Sequence, residues 1–152
     1  MAAKGFAYKG SMSKTPPSIR QYKPKAGLTV LHVGDLVNLE SGLVDLAASD
    51  DISFLGVVIA PGPSATAGVL THLAAIGAND YVQVIIDPDA IYADPNDTTA
   101  RVTGATLDIS GATGAQTLAT SSNVDVVVVA DSSATQPTLF KLSNVNHAIA
   151  KV

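Results

Sequence analysis

Residues 36–47 read LVNLESGLVDLA. Leu36 and Val37 open one apolar, strand-favouring run, and Leu43 and Val44 open a second. Ser41-Gly42 between them is a two-residue turn signal, so the stretch predicts a β-hairpin. The same pattern continues on both sides. Upstream lies LTVLHV (28–33), closed by Gly34-Asp35. Downstream come FLGVVIA (54–60), a Pro61-Gly62-Pro63 break, GVLTHLAAIG (68–77) and YVQVIID (81–87). ARVTGATLDIS (100–110), AQTLATS (115–121), VDVVVVA (124–130), TLFKLS (138–143) and VNHAIAKV (145–152) complete the series. Roughly ten short strands rich in Val, Ile and Thr, separated by turn signals, predict an all-β sandwich or barrel. The one helical candidate lies within 64–76, weakened by Gly68. The Pro- and Asp-rich stretch DPDAIYADPNDTT (87–99) reads as a loop. No alternation of strand and helix suggests a nucleotide-binding α/β fold.

A chain of 152 residues fits one domain. Charged residues make up only 14% of it, against about 25% in ordinary soluble domains. A surface so poor in charge is covered by small polar residues or by partners. The absence of cysteine excludes disulfides, zinc-thiolate sites and thiol chemistry. The sequence from Met1 to Lys14 lacks the apolar run of a secretory leader, and no run approaches a membrane span.

Charge is divided unevenly. Residues 1–25 hold Lys4, Lys9, Lys14, Arg20, Lys23 and Lys25 and no acid. The rest holds three basic residues against all thirteen acids, a balance of −10. Phe6, Tyr8, Met12, Ile19 and Tyr22 are scattered through the basic stretch without a period. Thr15-Pro16-Pro17 and Lys23-Pro24 block a helix there and favour extended backbone. Residues 1–26 therefore read as an extended basic arm, and residues 27–152 as the folded domain. An arm with isolated aromatics orders against another surface.

Chemistry-bearing patterns are scarce. His32, His72 and His147 lie far apart, in apolar runs, with no ligand-like spacing. There is no nucleophile elbow around a serine. Gly111-Ala112-Thr113-Gly114 lacks the lysine of a phosphate loop and reads as a hairpin turn. Asp87, Asp89, Asp94 and Asp97 could offer oxygens to a divalent ion. The EF-hand spacing is missing, however, and Asp87-Pro88 and Asp94-Pro95 are ordinary turn starters. Asp50-Asp51 reads as a turn. The basic stretch has no cluster of three positive residues, and the acidic remainder repels polyanions, which argues against nucleic acid. The expectation is a protein that is not an enzyme, with no cofactor and no membrane partner.

The order of segments resembles a known group. GDLVNLESGLVDLA, ISFLGVVIA, ANDYVQVIIDPDAIYAD, TGATLDISGATGAQTLATSSNVDVVVV and VNHAIAKV, across residues 27–152, are similar in layout to the small head-decoration (cement) proteins of tailed bacteriophages. The resemblance implies a compact β-barrel or β-sandwich made in the host bacterial cytoplasm. It also implies binding, often as a trimer, to the major capsid protein on the outer surface of the mature head. No catalytic residues come with it. On that reading the contacts expected of the arm are Lys4, Phe6, Tyr8, Lys9, Arg20 and Tyr22, aromatics filling pockets and basic residues meeting capsid acids. The alternatives are another virion part, such as a head fibre base, tail or minor coat protein, or a carbohydrate-binding β-sandwich. The last would normally present a Trp or Tyr platform, and the chain has no Trp.

Overall fold

The computed structural model describes residues 5–25, 31–48, 51, 53–61, 72–73, 81–112, 114–120, 125–143 and 147–148. Among them lie thirteen strands and no helix. In chain order these are β1 (Ala7–Ser11), β2 (Ile19–Tyr22), β3 (Leu31–His32), β4 (Leu36–Glu40), β5 (Leu43–Leu46), β6 (Phe54–Pro61) and β7 (His72–Leu73), followed by β8 (Val82–Ile85), β9 (Ala90–Asp94), β10 (Thr106–Ser110), β11 (Thr117–Ala119), β12 (Val126–Ala130) and β13 (Thr138–Leu142). A six-stranded antiparallel sheet has the order β1-β9-β13-β12-β10-β11. A five-stranded one runs β2-β8-β6-β4-β5, and β3 pairs with β7 alone. The two large sheets do not close, so the fold is a β-sandwich.

The predicted hairpin forms with Glu40 opposite Leu43 and only Ser41-Gly42 between. Both turn residues have positive φ, 51° and 82°, which matches the right-handed twist of the strands they join. Gly111, Ala112 and Gly114 lie in the connection between β10 and β11, which pair as Ser110 opposite Thr117.

One core lies between the sheets. Phe54, Tyr92, Phe140, Leu36, Ile109 and Leu142 fill it, each essentially inaccessible. A second cluster contains Leu31, Val37, Val44, Leu55, Val58, Val82 and Val84. Neighbours along one strand alternate between the two: Leu36 and Val37, Phe54 and Leu55, Val57 and Val58. The inner strands of the five-stranded sheet, β4, β6 and β8, are thus buried on both faces. That explains why FLGVVIA is a continuous apolar run rather than an alternating one.

Three expectations need correction or bounding. The stretch 87–99 is not only a loop, because β9 crosses the six-stranded sheet between β1 and β13. The two Asp-Pro turns bracket this strand, and Ala90, Tyr92 and Ala93 are buried in it. The helical candidate 64–76 lies outside the described residues except for His72 and Leu73, which are in β7. Of the expected strand 145–152, only His147 and Ala148 are described. His147 bridges Phe54 in parallel, and the Ala148 N–H donates to the Phe54 carbonyl at 2.6 Å.

Candidate interaction surface

A boundary at residue 26 does not separate the described residues into arm and body. The N-terminal segment is extended, as expected, but it runs along its own sandwich. β1 pairs with β9, and β2 pairs with β8, so the segment supplies an edge strand to each large sheet. Pairing satisfies those of its backbone groups that face the sheets, and the acid-free stretch lies against the acidic remainder of the chain.

The expected contact residues divide accordingly. Lys4 lies outside the described residues. Phe6 is 4% exposed, and its ring meets Phe140 edge-on at 5.0 Å. It is therefore a core residue and not a contact for a partner. Burying such a ring contributes about 1.5–3 kcal/mol, which offsets the ordering of the segment. Tyr8 is half-buried, edge-on to Tyr92 at 6.3 Å. Tyr22 is half-buried against the second core cluster. Lys9 and Arg20 are exposed, as are Lys14 and Lys23. Lys23 stands over the Tyr81 ring, 5.6 Å from its centroid. Two of the exposed large apolar residues, Met12 at 58% and Ile19 at 45%, lie in the same segment. The result is a basic surface with two apolar points on it.

The four aspartates do not converge, and the described residues hold no cluster of three or more metal-ligating side chains. Asp87 accepts from the Ser18 N–H, and Asp89 is exposed. Asp94 is fully buried and accepts from the Asn96 N–H, the Leu118 N–H and the Thr117 hydroxyl. Asp97 accepts from Arg101 Nε at 2.9 Å and Nη2 at 3.3 Å, from the Thr99 N–H and from the Thr138 hydroxyl. Burial alone would raise its carboxyl, but these donors outweigh burial and hold it below the usual carboxylate range. Beside it, Pro95, Thr98, Thr135, Gln136 and Pro137 line a shallow cleft of about 190 Å³. That is smaller than the roughly 300 Å³ at which small-molecule sites begin. Pairing of Arg101 with Asp97 across four residues was not singled out in the sequence, because nothing there marks a loop Asp as buried.

Among the described residues no histidine belongs to a cluster of three or more metal-ligating side chains. His32 and His72 are register partners in β3 and β7. His147 is wholly buried. Burial first, and then Lys141, push its imidazole down to about 4, partly opposed by Asp87 and by the backbone at Leu55. It is therefore neutral in the native state and takes up a proton more readily when unfolded. Stability is complete above pH 6.5 and falls as pH drops toward 4. Between pH 7 and 4.5 the expected loss is about 2–3 kcal/mol from this group. Urea midpoints at the two values measure it. His147→Gln should lose most of that dependence, and an unchanged pH response in the variant would assign it elsewhere.

The fold and this surface define a β-sandwich with basic N-terminal edge strands on an otherwise acidic chain. No known family, curated protein or solved structure matches it.

Proposed function

We propose that the chain is a head-decoration protein of a tailed bacteriophage, binding the outside of the mature head and bridging major capsid subunits. The observation that carries this reading is the concentration of exposed Lys9, Lys14, Arg20 and Lys23 on an N-terminal segment without acids. Charge complementarity of this kind sets orientation and speeds encounter with an acidic surface. The layout resemblance supports the same reading, as does a composition poor in charge and without catalytic motifs. Each copy needs only a modest contact, since a shell repeats it many times and self-association into trimers multiplies it. Tyr8, Lys9, Arg20 and Tyr22 remain the proposed contacts.

The test mixes purified protein with expanded and unexpanded heads and measures pelleted protein against concentration. Saturable binding to expanded heads is expected, weakened roughly tenfold by a Lys9→Glu, Arg20→Glu double substitution. A chain that ignores expanded heads, and that mass spectrometry does not find in purified virions, ends the proposal.

A further inference from the structure

The four edges of the two large sheets differ in how they are protected. β5 is covered, because the Lys25 N–H donates to the Val44 carbonyl at 2.8 Å and the Val44 N–H to the Lys23 carbonyl at 2.9 Å. β1 is broken by a bulge between Tyr8 and Gly10. β11 is three residues long. Bulges, short strands and coverage are the usual ways of blocking edge-to-edge pairing.

β2 is four residues long, carries no bulge, and no other segment among the described residues pairs with its outer side. Its register with β8 is regular over four pairs, from Ile19 opposite Ile85 to Tyr22 opposite Val82. The Ile86 N–H donates to the Ser18 carbonyl, which makes residues 18, 20 and 22 the ones bonded toward β8. By alternation, the N–H and C=O groups of Ile19 and Gln21 point away from the sheet. Ile19 is 45% exposed, and Arg20 and Gln21 are exposed beside it. Lys14 precedes the strand and Lys23 follows it, both exposed. Asp89 is the exposed acid of the nearby turn, and Asp87 is occupied by the Ser18 N–H.

We infer that β2 is an acceptor edge for an extended acidic segment of a partner protein, which adds as a sixth strand to the five-stranded sheet. The outward amides and carbonyls of Ile19 and Gln21 would pair with its backbone. Arg20, Lys14 and Lys23 would select acidic side chains, and Ile19 would take an apolar one. The inference rests on the edge and its charge, so it stands whether or not the partner is a capsid protein.

The probe is a short labelled peptide alternating valine with glutamate, with a lysine-for-glutamate version and a single-stranded DNA oligonucleotide as comparisons. Saturable, salt-sensitive binding of the acidic peptide is expected, with amide hydrogen exchange slowed at Ile19 and Gln21. Gln21→Pro removes one outward donor and none of those directed at β8, a position where an edge strand tolerates proline. It should weaken binding about tenfold or more, whereas Gln21→Ala should stay within about twofold. If the proline variant does not fold, the exchange data on the unaltered chain settle the matter. No binding by the acidic peptide, preference for the lysine peptide or the DNA, or unchanged exchange at both amides would each overturn the inference.

Discussion

Gly56→Ala is expected to cost more than about 4 kcal/mol, or to prevent soluble folding altogether. Gly56 lies in β6, the middle strand of the five-stranded sheet, opposite Val37. The register there shifts, because Asn38 pairs with Phe54, so Leu55 is the extra residue of a bulge. A methyl group on Gly56 would lie 1.7 Å from the Ile85 carbonyl oxygen and 3.2 Å from the Tyr92 hydroxyl. The first neighbour is backbone of β8, the strand paired with β6. It could move aside only by opening a ladder buried on both faces. Crowding of flexible side chains costs about 1–3 kcal/mol, and a backbone that cannot yield costs more. Gly42→Ala is the comparison. Its φ is +82°, but nothing lies within 4 Å of the added group. Only the left-handed backbone opposes it, at about 1–2 kcal/mol. Urea unfolding of the two variants measures the difference. A Gly56→Ala protein within about 1 kcal/mol of the unaltered chain would show that β6 and β8 do not approach so closely.

Gln116→Leu should lose about 3–5 kcal/mol although the two side chains are similar in size. Gln116 is 1% exposed in the connection between β10 and β11. Its Oε1 accepts from the Leu36 N–H at 2.6 Å, and its Nε2 donates to the Leu36 carbonyl at 3.2 Å and the Ala47 carbonyl at 2.9 Å. One amide thus ties a loop of the six-stranded sheet to both ends of the β4–β5 hairpin. Leucine would leave the Leu36 N–H without that acceptor and the Ala47 carbonyl without that donor. Each buried group deprived of a partner costs about 1–3 kcal/mol. Gln116→Glu keeps an acceptor, but it loses the donor and must bury a carboxyl, so it should fare no better. For a chain of this length the loss corresponds to a fall in Tm of roughly 10 °C. Thermal unfolding followed by circular dichroism reads it. A leucine variant as stable as the unaltered chain would mean that the amide bonds do not bear on stability.

Much of the candidate surface was legible, but not its relation to the body. The charge division at residue 25 and the exposure of Lys9 and Arg20 follow from composition and local pattern. Proline and scattered aromatics ruled out a helix, and the segment is extended. Phe6 could not be placed from the sequence. A lone aromatic with no periodic neighbours reads as unattached, whereas its partner Phe140 lies far along the chain. Ala90–Asp94 was misread for a related reason. Five residues between two Asp-Pro turns look like loop chemistry until β1 and β13 are found on either side.

The hairpin at Ser41-Gly42, the all-β class and the reversal between β10 and β11 were set by local sequence, because turn geometry and alternation act over a few residues. Strand order, the second buried face of the inner strands of the five-stranded sheet, the burial of Asp94, Gln116 and His147, and the outward-facing backbone of β2 arose only in three dimensions. These depend on contacts between residues distant in the chain. Their cost in loop entropy and their gain in burial are shared among many side chains, and no short stretch carries that sum.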